Sequence, residues 1–361
     1  MKDEKLKEYD MFEILKAVAP GTPLRDCLEN ILKARMGALL VIGDSPEVLS
    51  VVDGGFYINK EYSSQLFYEL AKMDGAIVIS KDYKKFLYAN ALLIPNPSIA
   101  TSESGTRHKA AERVAKQVNE LVVCISQRRN VITLYKGNKK YILKDTNIIL
   151  SRANQALQTL EKYKSALDVA INDLNILEFE DMVSLEDIAV VIQRTEMVMR
   201  IASEVERYIC ELGNEGRLIS MQLQELLGNT EHDGINVIED YMIYIENRTA
   251  QEVQKSIKQL SYEDLMDLMC ICRILGFVSI NNFFEVEVSP RGHRMINKIP
   301  RVPVHVVKNL IEKFGNLQRI LNASIEELDD VEGIGEVRAR VIKDGLRRVR
   351  DRIQQSNKKY V

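Results

Sequence analysis

Two short stretches carry residue types that could do chemistry together. Asp74-Gly75-Ala76 lies between a helical pattern, "ELAK", and an apolar run, "AIVIS". An Asp-Gly pair by itself is a turn, and Asp53-Gly54-Gly55 reads as a turn and nothing more. Further on, "GTRHKAAERVAKQ" opens a helix whose first charges oppose its dipole. Ala110, Ala111, Val114, Ala115 and Val118 make one apolar face at helical spacing, with Gly105 as lead-in and Thr106 as N-cap. The first turn then carries Arg107, His108 and Lys109, where acids are favoured. Singly, Arg107 reads as a surface cation and His108 as a solvated helix residue. Three together against the dipole, in the same chain as Asp74, read as function. A carboxylate holds a divalent cation by oxygen ligation, and a cationic helix start holds phosphate. The pair is what a metal-bound nucleoside triphosphate needs.

The elements that must position them follow from hydrophobic patterning. The chain has 361 residues, enough for two or three domains, and its 46% hydrophobic and 28% charged content is that of an ordinary soluble protein. Residues 1–144 alternate β-rich runs ("GALLVIG", "VLSVVDG", "GAIVIS", "KFLYANALLI", "LVVCIS", "NVITLYKG") with helical patterns ("DCLENILKAR", "SSQLFYELAK"). This predicts an α/β domain with a mixed sheet, ending in a hairpin with Gly137-Asn138 at its turn. Residues 145–289 hold a heptad-like stripe of Ala153, Ala156, Leu160, Tyr163, Leu167, Ala170, Leu174 and Leu177. That predicts a helical spine, and it offers no catalytic constellation. Residues 290–361 form a third, all-α region. The fold class is therefore multidomain, α/β plus all-α. Cys27, Cys124, Cys210, Cys270 and Cys272 lack metal or disulfide spacing and read as core thiols. The charged start "MKDEKLKEYDMFEILK" and the absence of a long apolar run predict a cytoplasmic protein with no membrane segment.

The net charge of −3 conceals an asymmetry: from Arg291 onward there are 16 Lys and Arg against 9 Asp and Glu. A basic tail on an acidic body points to nucleic acid. Within it, "LDDVEGIGEVRARVI" resembles the helix-hairpin-helix, a DNA-backbone-binding module. Gly333-Ile334-Gly335 makes a turn that a phosphate can approach closely, and the following helix aims free N–H groups at it. Arg338, Arg340, Lys343, Arg347 and Arg348 supply sequence-independent charge. "INKIPRVPVHVVKNLI" reads as a degenerate first copy, with Ile296, Ile299 and Val302 in the apolar positions. Arg301 and Pro303 stand there in place of the two glycines. The plainer alternative is that both hairpins only pack together or bind protein.

"MDGAIVIS", "GTRHKAAERVAKQ" and "ISQRRNVITLY" together resemble the diadenylate cyclase domain. With the spine and the hairpin tail, the whole chain resembles the bacterial DNA-integrity-scanning family. The resemblance implies condensation of two ATP into cyclic di-3′,5′-adenylate (c-di-AMP) with release of two pyrophosphates. It makes Asp74 the ligand of Mg²⁺ or Mn²⁺ that helps activate the 3′-hydroxyl, and Gly75 and Ala76 the small residues beside the nucleotide. Thr106, Arg107 and His108 become phosphate-binding, with Lys109 and Ala110 beside them. Leu93 becomes an adenine-side contact, and Ser126 and Arg129 line the nucleotide. Lys109 departs from the family's usual arginine, keeping the charge but losing the bidentate fork. The resemblance further implies a face-to-face pair of cyclase domains within an octamer, a nucleoid-associated location, and inhibition by branched DNA such as Holliday junctions as a DNA-damage signal.

Two rival readings remain. Lys72-Met73-Asp74-Gly75 matches the K-x-D-G signature of covalent-lysine nucleic-acid ligases, although no further lysine motif follows. A DNA-junction scaffold without enzyme activity is the other. Other nucleotide signatures are absent: the chain holds no G-x-x-x-x-G-K-[ST], no G-x-G-x-x-G after a strand and no H-E-x-x-H.

Overall fold

The computed structural model describes residues 13–244, 248–278 and 286–357. The chain divides into two compact units, Met1–Asn154 with Glu206–Ser220, and Gln155–Val205 with Met221–Val361. The helical region expected over 145–289 is thus shared between them.

In the first unit the order is α1 (Pro23–Lys33), β1 (Ala38–Ile42), α2 (Pro46–Ser50), β2 (Val52–Asp53), β3 (Phe56–Glu61) and α3 (Ser64–Leu70). There follow β4 (Ala76–Ile79), β5 (Lys85–Leu93), α4 (Thr106–Val118), β6 (Leu121–Ser126), β7 (Val131–Lys136) and β8 (Lys139–Ile142). The eight strands form one sheet in the order β2-β5-β4-β1-β6-β7-β8, with β3 also on β5. Among the described strands only β1 and β4 pair in parallel, in the register Leu40↔Ile77, and the other pairings are antiparallel.

This is the expected mixed sheet, with helices on both faces. All five residues of β1 are buried, as a strand covered on both sides requires. Leu40 and Ile42 pack with Leu28, Ile31, Phe67 and Phe86 beneath α1 and α3. Leu39 and Val41 pack with Ala111, Val114 and Ala115 of α4 on the other face. The β7–β8 hairpin turns at Gly137, whose φ is +53°, with Lys136 opposite Lys139.

Two expectations fail locally. "VLSVVDG" is strand only at Val52–Asp53, because Ser45 caps Val48 N and Pro46 starts the short helix α2. Strand β3 follows the Gly54-Gly55 turn, where only the turn had been expected.

The helices continue with α5 (Thr146–Glu180), α6 (Leu185–Leu212), a 3-10 turn (Gly213–Gly216), α7 (Arg217–Leu227) and α8 (Thr230–Tyr241). Then come α9 (Ala250–Lys258), α10 (Tyr262–Met266), α11 (Leu268–Leu275), α12 (His293–Asn297) and α13 (Val304–Phe314). The last are α14 (Leu317–Asn322), α15 (Ile325–Asp329) and α16 (Glu336–Asn357). The heptad-like stripe is one helix, α5, burying Ala153, Leu157, Leu160, Leu167, Ala170 and Leu174. Leu157 rather than Ala156 takes the fully buried position. None of the described helices is long and apolar enough to cross a membrane.

Within the second unit, a buried polar cluster joins three helices. Arg294 of α12 pairs with Glu178 of α5 at 2.7 Å, and both are buried. Its Nη1 donates to Asn175 Oδ1 at 2.8 Å, while Tyr241 Oη donates to Glu178 Oε1 at 2.8 Å. Asp240, buried at the end of α8, accepts the backbone N–H groups of Gly292, His293 and Arg294 at 2.6–2.9 Å. Burial, with Glu178 adding, pushes the Asp240 carboxyl up to about 7, and its bonds to Arg294 and Gly292 oppose the rise. Removing one member strands a buried charge, whereas removing both partners of the ion pair does not. Arg294→Met is expected to cost about 3–5 kcal/mol in urea unfolding of this unit. The double variant Glu178→Met/Arg294→Met recovers most of that loss.

Candidate active site and DNA interface

Sheet register gathers the candidate nucleotide site at one edge. Because β1 and β4 run parallel, their N-terminal ends, Gly37-Ala38 and Gly75-Ala76, lie side by side. Their antiparallel neighbours bring in the C-terminal ends of β6, at Ser126, and of β5, at Leu93. Asp74 occupies the loop into β4 with its side chain fully exposed. Gly75 has φ +92°, and a β-carbon there would fall 2.8 Å from the Ala91 carbonyl oxygen. Glycine at 75 is therefore demanded by the backbone and by the close pass of β5. Ala76 is buried and pairs with Ala91. Leu93 packs its side chain into the core with Val48 and Val51, and its backbone pairs with Val52 of β2.

The first turn of α4 faces the same edge. Gly105, not Thr106, is the N-cap, with no side-chain cap bond; Thr106 is the first helical residue. The extended φ and ψ of Gly105 set this boundary, one residue earlier than the sequence indicates. No acid lies in the first turn. The Arg107 guanidinium crosses the start of β1, where a β-carbon on Gly37 would collide with Nη1. Its Nη2 reaches Asp74 Oδ1 at 3.9 Å, so the two stretches that the sequence pairs do meet.

His108 turns inward. Its Nε2 is shielded from solvent without a hydrogen-bond partner, and its ring meets Tyr135 edge-on at 6.5 Å. Burial lowers its pKa; Glu103 opposes this, while Arg129, Lys140 and Arg107 reinforce it. The imidazole is therefore neutral at neutral pH. The Lys109 backbone N–H closes the first helical turn onto Gly105 O at 2.8 Å, and its side chain is half-buried, as is Ala110. Ser126 Oγ accepts the Arg129 N–H at 3.2 Å, and Arg129 is exposed on the turn that follows. Cys124, beneath Arg107, is no nucleophile, since burial pushes its thiol up to about 12.

Several supporting residues are invisible as sequence motifs. Glu103 is buried, accepts the Tyr135 hydroxyl at 2.8 Å and pairs with Lys140. Burial raises its pKa, but Lys140 and Tyr135 outweigh that and hold the carboxyl below its usual range. Glu112 accepts Thr101 Oγ1 at 2.5 Å, Ser102 N at 3.1 Å and Lys116 Nζ at 2.7 Å. Arg113 Nε donates to Ile99 O at 2.9 Å, and Asn96 N donates to Gln117 Oε1 at 2.8 Å. Together they tie the loop before α4 to the helix body. Only a contact map could have identified Gly37, which bears no functional group.

The tandem hairpins share one core of Ile296, Ile299, Val306, Leu310, Leu328, Val331, Ile334, Ala339 and Ile342. Gly333 has φ +83°, and around Gly335 a β-carbon would find open space. The candidate cations divide into two groups. Arg338 donates to the Gly333 carbonyl, and Lys343 donates to the Leu321 and Ala323 carbonyls at the end of α14. Both are thereby engaged in holding the hairpin. Arg340 pairs with Glu336 at 2.5 Å on the surface, and Arg347 and Arg348 are exposed. In the first hairpin Arg301 keeps the left-handed conformation, φ +66°, without glycine.

Three family models cover the chain in this order. Residues 25–140 match the DisA bacterial checkpoint controller nucleotide-binding region, 143–283 its linker region, and 298–351 a helix-hairpin-helix motif. The DNA integrity scanning protein DisA of Acetivibrio thermocellus is 63% identical over 97% of this chain and 97% of its own. That of Clostridium botulinum (strain Loch Maree) is 57% identical over 96% and 98%, and that of Carboxydothermus hydrogenoformans 56% over 97% and 98%. Among solved structures, DacA from Staphylococcus aureus is 23% identical over 41% of this chain and 93% of that one, at a TM-score of only 0.31. The chain belongs to the DisA family of DNA integrity scanning proteins, and its first domain is a diadenylate cyclase.

Proposed function

We propose that two cyclase domains meet face to face, each presenting one ATP, and close the two nucleotides into c-di-AMP. Each 3′-hydroxyl oxygen attacks the α-phosphorus of the opposite ATP, the bond to pyrophosphate breaks, and the hydroxyl proton leaves to solvent. Two such displacements close the ring. The observation that carries this reading is Arg107 Nη2 at 3.9 Å from Asp74 Oδ1, a cation and an acid held together at one sheet edge.

The described residues contain no cluster of three or more His, Cys, Asp or Glu side chains that could hold a metal. A lone exposed carboxylate still suits Mg²⁺ or Mn²⁺, which bind through one or two carboxylates plus substrate phosphates and water. Asp74 would hold that ion, which when bound neutralises phosphate charge and eases loss of the hydroxyl proton. Arg107 and the free N–H groups of the α4 start stabilise the triphosphate. The neutral His108 stands beside the phosphates without adding charge, its Nδ1 toward Gly105 and its Nε2 turned inward. Ser126 and Arg129 border the nucleotide, with Leu93 on its adenine side. Catalysis is mostly positioning, so whatever shifts the two faces stops it.

In the same proposal the hairpins bind branched DNA such as Holliday junctions by shape and backbone. Bound junctions inhibit synthesis and so report DNA damage, and the cyclase domains pair within an octamer in the cytoplasm, near the nucleoid. The ligase alternative is disfavoured by Lys72, whose Nζ is engaged by Glu69 at 2.6 Å and lies 4.9 Å over the Tyr68 ring.

Three outcomes test this. With ATP and Mn²⁺, Asp74→Asn is expected to abolish c-di-AMP formation, by about a thousandfold or more, while Lys72→Ala leaves it largely intact. The reverse pattern, with adenylylated protein, would establish the ligase reading. Gly37→Ala evicts the Arg107 guanidinium and is expected to lower turnover about tenfold or more with the fold intact by circular dichroism. Saturating four-way junction is expected to lower wild-type turnover, and an unchanged rate would refute regulation by DNA.

A further inference from the structure

The two hairpins repeat with an offset of 32 residues, which places left-handed Arg301 opposite left-handed Gly333. Ile296 then matches Leu328, Ile299 matches Val331, and Leu310 matches Ile342, all within the shared core. Pro303 matches Gly335, and His305 matches Val337, which is 79% exposed. The side-chain chemistry of the two turns is thus distributed differently. The first turn carries its cation within itself, as Arg301.

The second turn has no cation of its own. Gly333 and Gly335 leave it open, yet it is flanked by exposed Glu332 and Glu336. The nearest cations on its own helix are engaged. Arg338 donates to the Gly333 carbonyl, Arg340 pairs with Glu336, and Lys343 donates to the end of α14. An anion entering here meets two acids and, from α16's first turns, the Arg338 guanidinium, one of whose N–H groups is already committed to the Gly333 carbonyl.

Helix α13 of the first hairpin fills that gap. Asn309 Nδ2 donates to Glu332 O at 2.9 Å, docking α13 against the second turn. One helical turn back on the same face, exposed His305 places Nε2 3.6 Å from where a β-carbon on Gly333 would sit. Val306 contacts the same point at 3.5 Å from the core side.

We propose that His305 is a DNA-binding residue, lent by the first hairpin to the phosphate site of the second. Its Nε2–H donates to a non-bridging oxygen of the backbone phosphate held by the Gly333-Ile334-Gly335 turn. The donor reaches the opening between Glu332 and Glu336 and makes the second site draw on the degenerate hairpin. The ligand is a nucleic-acid phosphodiester backbone, without base preference.

The inference rests on the DNA-binding reading of the hairpins, and its test separates the two. Binding of the full-length protein to a synthetic four-way junction and to plain duplex is measured by fluorescence anisotropy. His305→Ala is expected to weaken both about tenfold, and His305→Lys to bind at least as well as wild type. Basal cyclase turnover and circular dichroism should be unchanged in both variants. Equal binding by wild type and His305→Ala would overturn the role of His305 alone. An equal loss in His305→Ala and His305→Lys would overturn it too, since packing rather than a donor would then be at work. Absence of DNA binding by the wild type would overturn the hairpin reading itself.

Discussion

The first turn of α4 concentrates positive charge where a helix least tolerates it. Arg107, His108 and Lys109 stand beside uncapped backbone N–H groups with no acid in the turn. Each cation so placed costs about 0.3–1 kcal/mol. The rest of the domain is arranged to bear that cost. Ala111, Val114 and Ala115 anchor the helix in the core. Glu112 fastens it to the preceding loop. Burial keeps His108 neutral, which removes one of the three charges. Asp74, 3.9 Å from the Arg107 guanidinium, offsets part of the remaining charge, and a bound triphosphate would offset the rest.

That imbalance is useful only if an acid lies within reach, and the sheet supplies it. A wholly antiparallel sheet would set the starts of β1 and β4 at opposite ends. The single parallel pair aligns them, and the antiparallel strands on either side return their C-terminal ends to the same edge. One exception to the pairing pattern thus brings four strand ends together, with Asp74 on one and the Arg107 guanidinium laid across another.

The buried strands were legible because they are continuous apolar runs, and α4 and α5 because their apolar faces repeat at helical spacing. The failures have physical causes. In β3 five of six residues are exposed, so no burial pattern marks it. Residues 48–54 look like one strand, yet Ser45 and Pro46 start a helix through Ser50 that Val48 anchors. Asp74 and the Thr106–Lys109 turn could be paired from their chemistry, because each lacks something the other supplies. Gly37, Glu103 and the Glu178–Arg294 pair could not, since their meaning lies in contacts between residues far apart in sequence. The cationic helix α16 was visible as composition, but composition does not distinguish Arg347, facing water, from Lys343, facing carbonyls.

Arg301 and Gly333 hold the same left-handed conformation at matching points of the two hairpins. A side chain in the left-handed region pays about 1–2 kcal/mol that glycine does not, and here the turn retains the conformation without the residue that made it easy. One left-handed torsion is thus reached by two residue types at different cost. Glycine at 301 would relieve the strain but remove the first turn's cation, whereas arginine at 333 would strain the second turn and close its open approach. Each is then committed to its own half of the work.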